Sequence, residues 1–164
     1  MSMVESMIAQ LEEESGSTRK LLERTPMEHA DWRPHPKSMS LGELTSHMAS
    51  CPELAVGICG QDEFEIPGEY TPWIAKSREE LLAKHDASIA SAKKAMTGLS
   101  DEQMRATWKL IANGTVMVEA SRADVLRGFI LSHLIHHRGQ LSVYLRLKDV
   151  PLPAIYGRSA DEQP

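Results

Sequence analysis

The sequence predicts an all-α fold: an antiparallel four-helix bundle with a small hairpin or irregular insertion before the last helix. Three observations carry this. Apolar residues recur at helical spacing in four long stretches, and three of these open on a Ser with an acidic residue three positions later. Pro- and Gly-rich segments separate the stretches, and no series of alternating strand-like runs competes with them.

From Val4 to about Arg24, the residues Val4, Met7, Ile8, Leu11, Leu21 and Leu22 keep helical spacing, with Gly16 a weak point midway. Thr25 to Met39 holds three prolines and the run Asp31-Trp32-Arg33-Pro34-His35-Pro36, which cannot continue a helix. It reads as an ordered connection anchored by Trp32. Ser40-Leu41-Gly42-Glu43 is a capping-box pattern and opens the second helix, which carries His47. Pro52 removes a backbone donor inside that helix, so a bend or restart is expected near Cys51.

Gly57 to Pro72 is rich in Gly, Pro and acidic residues and reads as a loop, with Trp73 packing at its far end. Ser77-Arg78-Glu79-Glu80 opens a third helix, whose stripe of Leu82, His85, Ile89, Ala92 and Met96 stops at Gly98. A helical turn is expected after Ser100. Thr107–Ala112 and Thr115–Ala120 flank Asn113-Gly114 and predict a small hairpin. Ser121-Arg122-Ala123-Asp124 opens the last long helix, which is expected to run unbroken to about Lys148, before Pro151 and Pro153.

At 164 residues the chain suits one domain, expected over 1–158 with a loose polar tail at 159–164. Apolar residues make up 41% and charged residues 25%, an ordinary globular balance. A net charge of −5 with scattered Lys and Arg argues against nucleic acid as a partner. No apolar run approaches the roughly 20 residues of a membrane span, and Met1 to Glu5 lack a signal peptide's basic start. A cytoplasmic protein is expected. Were the helix holding Cys51 to reach Cys59, the two would lie about 12 Å apart along its axis, so both are expected to be free.

The chemistry concentrates in Ser132-His133-Leu134-Ile135-His136-His137-Arg138-Gly139-Gln140-Leu141. His133 and His137 stand four apart, one above the other on one helix face, and could chelate one ion. Leu126, Ile130, Leu141 and Tyr144 share that face, so it is expected to look inward. An imidazole taken out of water needs a hydrogen-bond partner or a metal. His47 is the best third ligand, and three imidazoles with an open position are the arrangement of catalytic zinc. The competing reading is three unrelated core histidines, each bonded to a carbonyl or carboxylate. His136 competes with His137, and His85 is a second reserve whose plainer reading is a buried histidine with a local partner. Cys51, four residues after His47, is a soft fourth ligand, a nucleophile or simply a small buried hydrophobe. Trp32, Trp73 and Trp108 read as anchors before substrate platforms.

Trp32-Arg33-Pro34, then Ser40 to Met48 with His47, then His133 to Leu141 with its HxxxH ending in Gly-Gln, together resemble the DinB/YfiT-like family over most of the chain. The resemblance implies a four-helix bundle, often dimeric, with a divalent metal on three histidines, by position His47, His133 and His137. It also implies a range of chemistry: thiol-dependent transferases and isomerases that use low-molecular-weight thiols, and metal-dependent hydrolases. Pro52 and the Asn113-Gly114 segment depart from the pattern.

The expectation is therefore a metal-dependent transferase or hydrolase, acting on a small molecule with zinc or nickel foremost and iron or manganese as further options. Arg138 and Gln140 are candidates to tune the site. A non-catalytic dimeric bundle that binds a metal or small molecule is the alternative, and a purely structural helical protein is the third reading.

Overall fold

The computed structural model describes residues 2–68 and 71–162. Helix α1 (Met3–Leu22) opens on a capping box: the Ser2 hydroxyl accepts from the Glu5 amide and the Glu5 carboxylate accepts from the Ser2 amide. Helix α2 (Leu41–Ser50) starts in the same way from Ser40 and Glu43. Pro52 turns the chain through one 3-10 turn, Cys51–Glu53, and helix α3 (Leu54–Gly60) succeeds it, which is the expected restart. Helix α4 (Arg78–Met96) is capped by the Ser77 hydroxyl, while the Glu80 carboxylate accepts from the Lys76 amide instead of closing the box. Gly98, at φ +90, comes just after its end. Ser100 caps the short helix α5 (Asp101–Arg105).

A β-sheet corrects the expected all-α four-helix bundle. Strands β1 (Glu63–Glu65), β2 (Thr107–Ala112) and β3 (Thr115–Ser121) form a mixed sheet in the order β1-β2-β3, with β1 parallel to β2 and β3 antiparallel to it. The molecule is mostly helical with a three-stranded sheet. The β2–β3 hairpin is the one read from Asn113-Gly114, whose φ values of 50 and 71 suit a type I′ turn. The segment read as a loop from Gly57 to Pro72 instead holds the end of α3 and all of β1. Glu63, Phe64 and Glu65 pair with Lys109, Leu110 and Ile111. All three β1 residues are exposed, so no alternation of burial marks the strand. Positions 69 and 70 of that loop lie outside the described residues.

The expected last helix is also interrupted. Helix α6 (Arg122–Leu126) passes through a π-helical stretch, Arg127–Ser132, into α7 (His133–Arg146). The cause is readable in the burial: Leu126, Ile130, Leu134 and Arg138 are buried at successive steps of four. In a regular α-helix each such step over-rotates by about 40°. The wider π turn offsets that drift and keeps the stripe facing one way.

Two apolar clusters make the core. One gathers Leu11, Met96, Met104, Trp108, Leu126 and Leu131, the other Leu21, Leu44, Met48, Leu81, Leu134 and Leu145. The chain crosses between them along α1 and α4 and again at Met48–Ala55 and Leu131–Leu134, the last two beside His47 and His133. The tail expected to be loose is tied down over its described part: Asp161 pairs with Arg146, Glu162 with Arg24, and Ser159 Oγ donates to the Leu152 carbonyl. Positions 163 and 164 lie outside the described residues. Cys51 and Cys59 are both free. Among the described residues no helix is long and apolar enough to cross a membrane.

Candidate metal centre

Three imidazoles meet at the surface between α2 and the first turn of α7. His47 Nε2 lies 2.8 Å from His133 Nε2, which lies 2.9 Å from His137 Nε2. The rings stand edge to face, with centroids 4.4 to 5.1 Å apart. The nitrogens of all three lie within 4.8 Å of one another, so the cluster could hold a metal ion. An ion about 2.0–2.1 Å from each imidazole nitrogen spaces neighbouring nitrogens by roughly 3–3.5 Å. Small ring movements reach that spacing.

The protonation of the three rings fits the same use. Burial, then the neighbouring His137, His47 and His136, bring the His133 pKa down to about 4. Burial and then His137 lower that of His47. His137 is lowered by burial, partly opposed by its bond to Gln140. All three are therefore neutral at pH 7, the form that ligates a metal. His137 has a fixed tautomer as well. Gln140 Oε1 lies 2.7 Å from Nδ1 and can only accept, so the proton sits on Nδ1 and the Nε2 lone pair faces the cluster.

Sequence reasoning pointed His133 and His137 at the interior, yet both are half-buried, as is His47. The core side of α7 is taken by Leu134 and by Arg138, which is 2% exposed. Arg138 donates to the Glu14 carbonyl at 2.9 Å and to the Glu14 carboxylate at 2.5 Å, and also bonds the Tyr156 hydroxyl, which itself donates to Glu14. This buried network fixes α7 against α1 at the residue next to His137. Sequence reasoning missed Glu14, although a signal existed: Val4, Met7, Leu11, Glu14, Thr18 and Leu21 form one buried stripe at steps of three and four.

The reserve ligands fall outside the cluster. His136 is exposed, its ring centroid 5.1 Å from that of His137. His85 is buried on α4 with Nδ1 3.3 Å from Asp86 Oδ1, the local partner of its plainer reading. Cys51 turns its thiol to the Phe129 carbonyl at 3.3 Å, and burial pushes its pKa up to about 12. It is a protonated, buried thiol in the π-stretch contact. Trp32 packs edge-on against Tyr144, and Trp108 lies in the core, both as anchors. Trp73 packs on the second apolar cluster and also walls a groove of about 450 Å³ that His47 lines.

Fold and site together define a mostly helical protein with a three-histidine cluster able to take a metal ion. Residues 10–141 match the model of the DinB superfamily, and the chain belongs to that superfamily. It is 25% identical over 156 residues to the uncharacterized protein YrdA of Bacillus subtilis, covering 91% of this chain and 85% of YrdA. Its fold is similar to that of a DinB-like protein from Bacillus cereus, with a TM-score of 0.74 at 19% identity over 93% of this chain and 97% of the other. The DinB-like protein YjoA of Bacillus subtilis superposes with a TM-score of 0.67 at 19% identity, over 90% and 96% of the two chains. At these identities the two structures speak to the fold alone.

Proposed function

We propose that the protein is a metal-dependent enzyme, a thiol-dependent S-transferase or a hydrolase acting on a small molecule. His47, His133 and His137 hold its divalent ion, with zinc or nickel foremost and iron or manganese also suited to imidazole ligands. The observation that carries this reading is the cluster of three ring nitrogens, one with its proton held away by Gln140. A bound divalent ion supplies Lewis acidity that ionises a thiol or a water near neutral pH.

The chain's own side chains take the remaining roles. His47, His133 and His137 stay neutral and half-open, which leaves one side for a small molecule. Cys51 is a buried thiol aimed at Phe129, and Ser50 Oγ donates to the Ser46 and His47 carbonyls, so neither is poised to attack. The attacking atom therefore comes from a bound thiol or water. In the cell we place this activity in a cytoplasmic homodimer.

The test compares metal-loaded and metal-free protein. One assay follows a low-molecular-weight thiol with an aryl halide, and the other follows hydrolysis of a nitrophenyl ester. Turnover in either assay that needs the metal and is lost in His133→Ala supports the proposal. Metal uptake with no turnover in either assay favours the alternative, a non-catalytic protein that binds a metal or small molecule. That alternative draws on Glu43, the carboxylate that lines the groove, serving as the cap of α2 by accepting from the Ser40 amide at 2.5 Å.

A further inference from the structure

The groove beside His47 has a polarity of its own. Its floor is a stripe of α2 that includes Glu43 and His47, four residues apart on one face. Trp73 forms one wall, and the connection before α2 contributes Arg33 and Lys37 to the rim. The volume of about 450 Å³ is that of a small-molecule site.

The charge in the groove runs against the molecule as a whole. The chain has a net charge of −5, yet the groove is lined by two cations and one carboxylate. That carboxylate, Glu43, is already engaged, accepting from the Ser40 amide at 2.5 Å and lying 3.5 Å from the Arg33 guanidinium. Lys37 has no carboxylate partner among the described residues. The positive end of the α2 dipole lies at the same end of the groove. From Ser40 at that end to His47 the helix advances seven residues, about 10 Å.

We infer that the groove selects an anionic small molecule about 10 Å long. Its carboxylate faces Lys37 and Arg33 at the rim, its body lies on Trp73, and its reacting end reaches the His47, His133 and His137 cluster. This inference rests on the metal reading above and adds the substrate's charge and length.

A matched pair of probes tests it: 6-mercaptohexanoate and 6-mercaptohexanol, equal in length and differing in the anionic end. Binding to cobalt-loaded protein is read from the thiolate-to-cobalt absorption band, with cobalt content measured on the same samples. Two partly exposed ion pairs together are worth about a factor of ten. The carboxylate probe should bind about tenfold tighter at low salt. That preference should shrink to within about twofold in the Arg33→Gln/Lys37→Gln variant. The variant should keep its cobalt content. Equal binding of the two probes, or a preference that survives the double variant, overturns the inference while leaving the metal site standing. Failure to load cobalt sinks the metal reading instead. The groove is then read alone, from amide NMR shifts of residues 33–50 in metal-free protein: shifts with hexanoate and not hexanol uphold the anion site, and equal or absent shifts overturn it.

Discussion

Gln140 gives the sharpest handle on the cluster. Its Oε1 accepts from His137 Nδ1 at 2.7 Å, and Gln140→Ala removes the group that fixes the tautomer and the ring angle. Loss of a partner that orients a ligating histidine costs about 10- to 100-fold in metal affinity. Gln140 is exposed, so water can take over much of the bond, and the lower end applies: about tenfold, or about 1.4 kcal/mol. Gln140→Glu keeps an acceptor at the same reach, adds negative charge, and should tighten binding several-fold. The assay is competition with a chromophoric chelator at fixed pH, with denaturant unfolding of the metal-free variants as a control for folding. Metal affinities of the Ala and Glu variants equal to the wild type would refute the idea that this bond prepares His137 as a ligand.

The buried pair beneath the cluster should behave differently. Arg138→Met leaves the Glu14 carboxylate buried with only Tyr156 as partner and should cost about 3 kcal/mol, while Glu14→Leu/Arg138→Met should regain most of it. A denaturant midpoint for Arg138→Met within error of the wild type would contradict this. Cys51, its thiol pushed up to about 12, should resist a disulfide reagent at pH 8 in the native protein and react at once in denaturant, so prompt native modification would be the wrong outcome. The histidine cluster sets a pH dependence for the metal-free protein. The pKa of His133 falls from an ordinary 6.5 to about 4 on folding, and those of His47 and His137 are lowered too, so the unfolded chain binds more protons in this window. Stability should be full above pH 6.5 and fall as pH drops toward 4, less steeply in His133→Ala. Denaturant midpoints at pH 7 and pH 5 check the sign, and a higher midpoint at pH 5 would contradict it.

Much of the local structure was legible because it is written in short-range chemistry. Ser40 with Glu43, Ser77 with Glu80 and Asn113-Gly114 each mark their own start or turn, and each is found where its residues put it. The bundle expectation failed where the determinants are distant. Strand β1 is three exposed residues whose partners Lys109, Leu110 and Ile111 lie far along the chain, and Gly57 and Gly60 disguise the short helix before it. The π stretch has no residue signature of its own. It arises from packing, which keeps Leu126, Ile130, Leu134 and Arg138 on one face. His133 and His137 came from spacing and His47 from its place on the second helix together with the family resemblance, and the three do meet, but periodicity alone turned the pair inward. Arg138 takes that side because Glu14, on the buried stripe of α1, awaits it.

Metal content decides between a metal centre and three incidental histidines. Untagged protein, purified without added metal, should carry about one divalent ion per chain by elemental analysis. His47→Ala, His133→Ala and His137→Ala should each lose it while their helical circular dichroism stays unchanged. A wild-type protein that remains without metal after reloading with zinc and with nickel, or variants that retain the full complement, would contradict a metal centre at these residues.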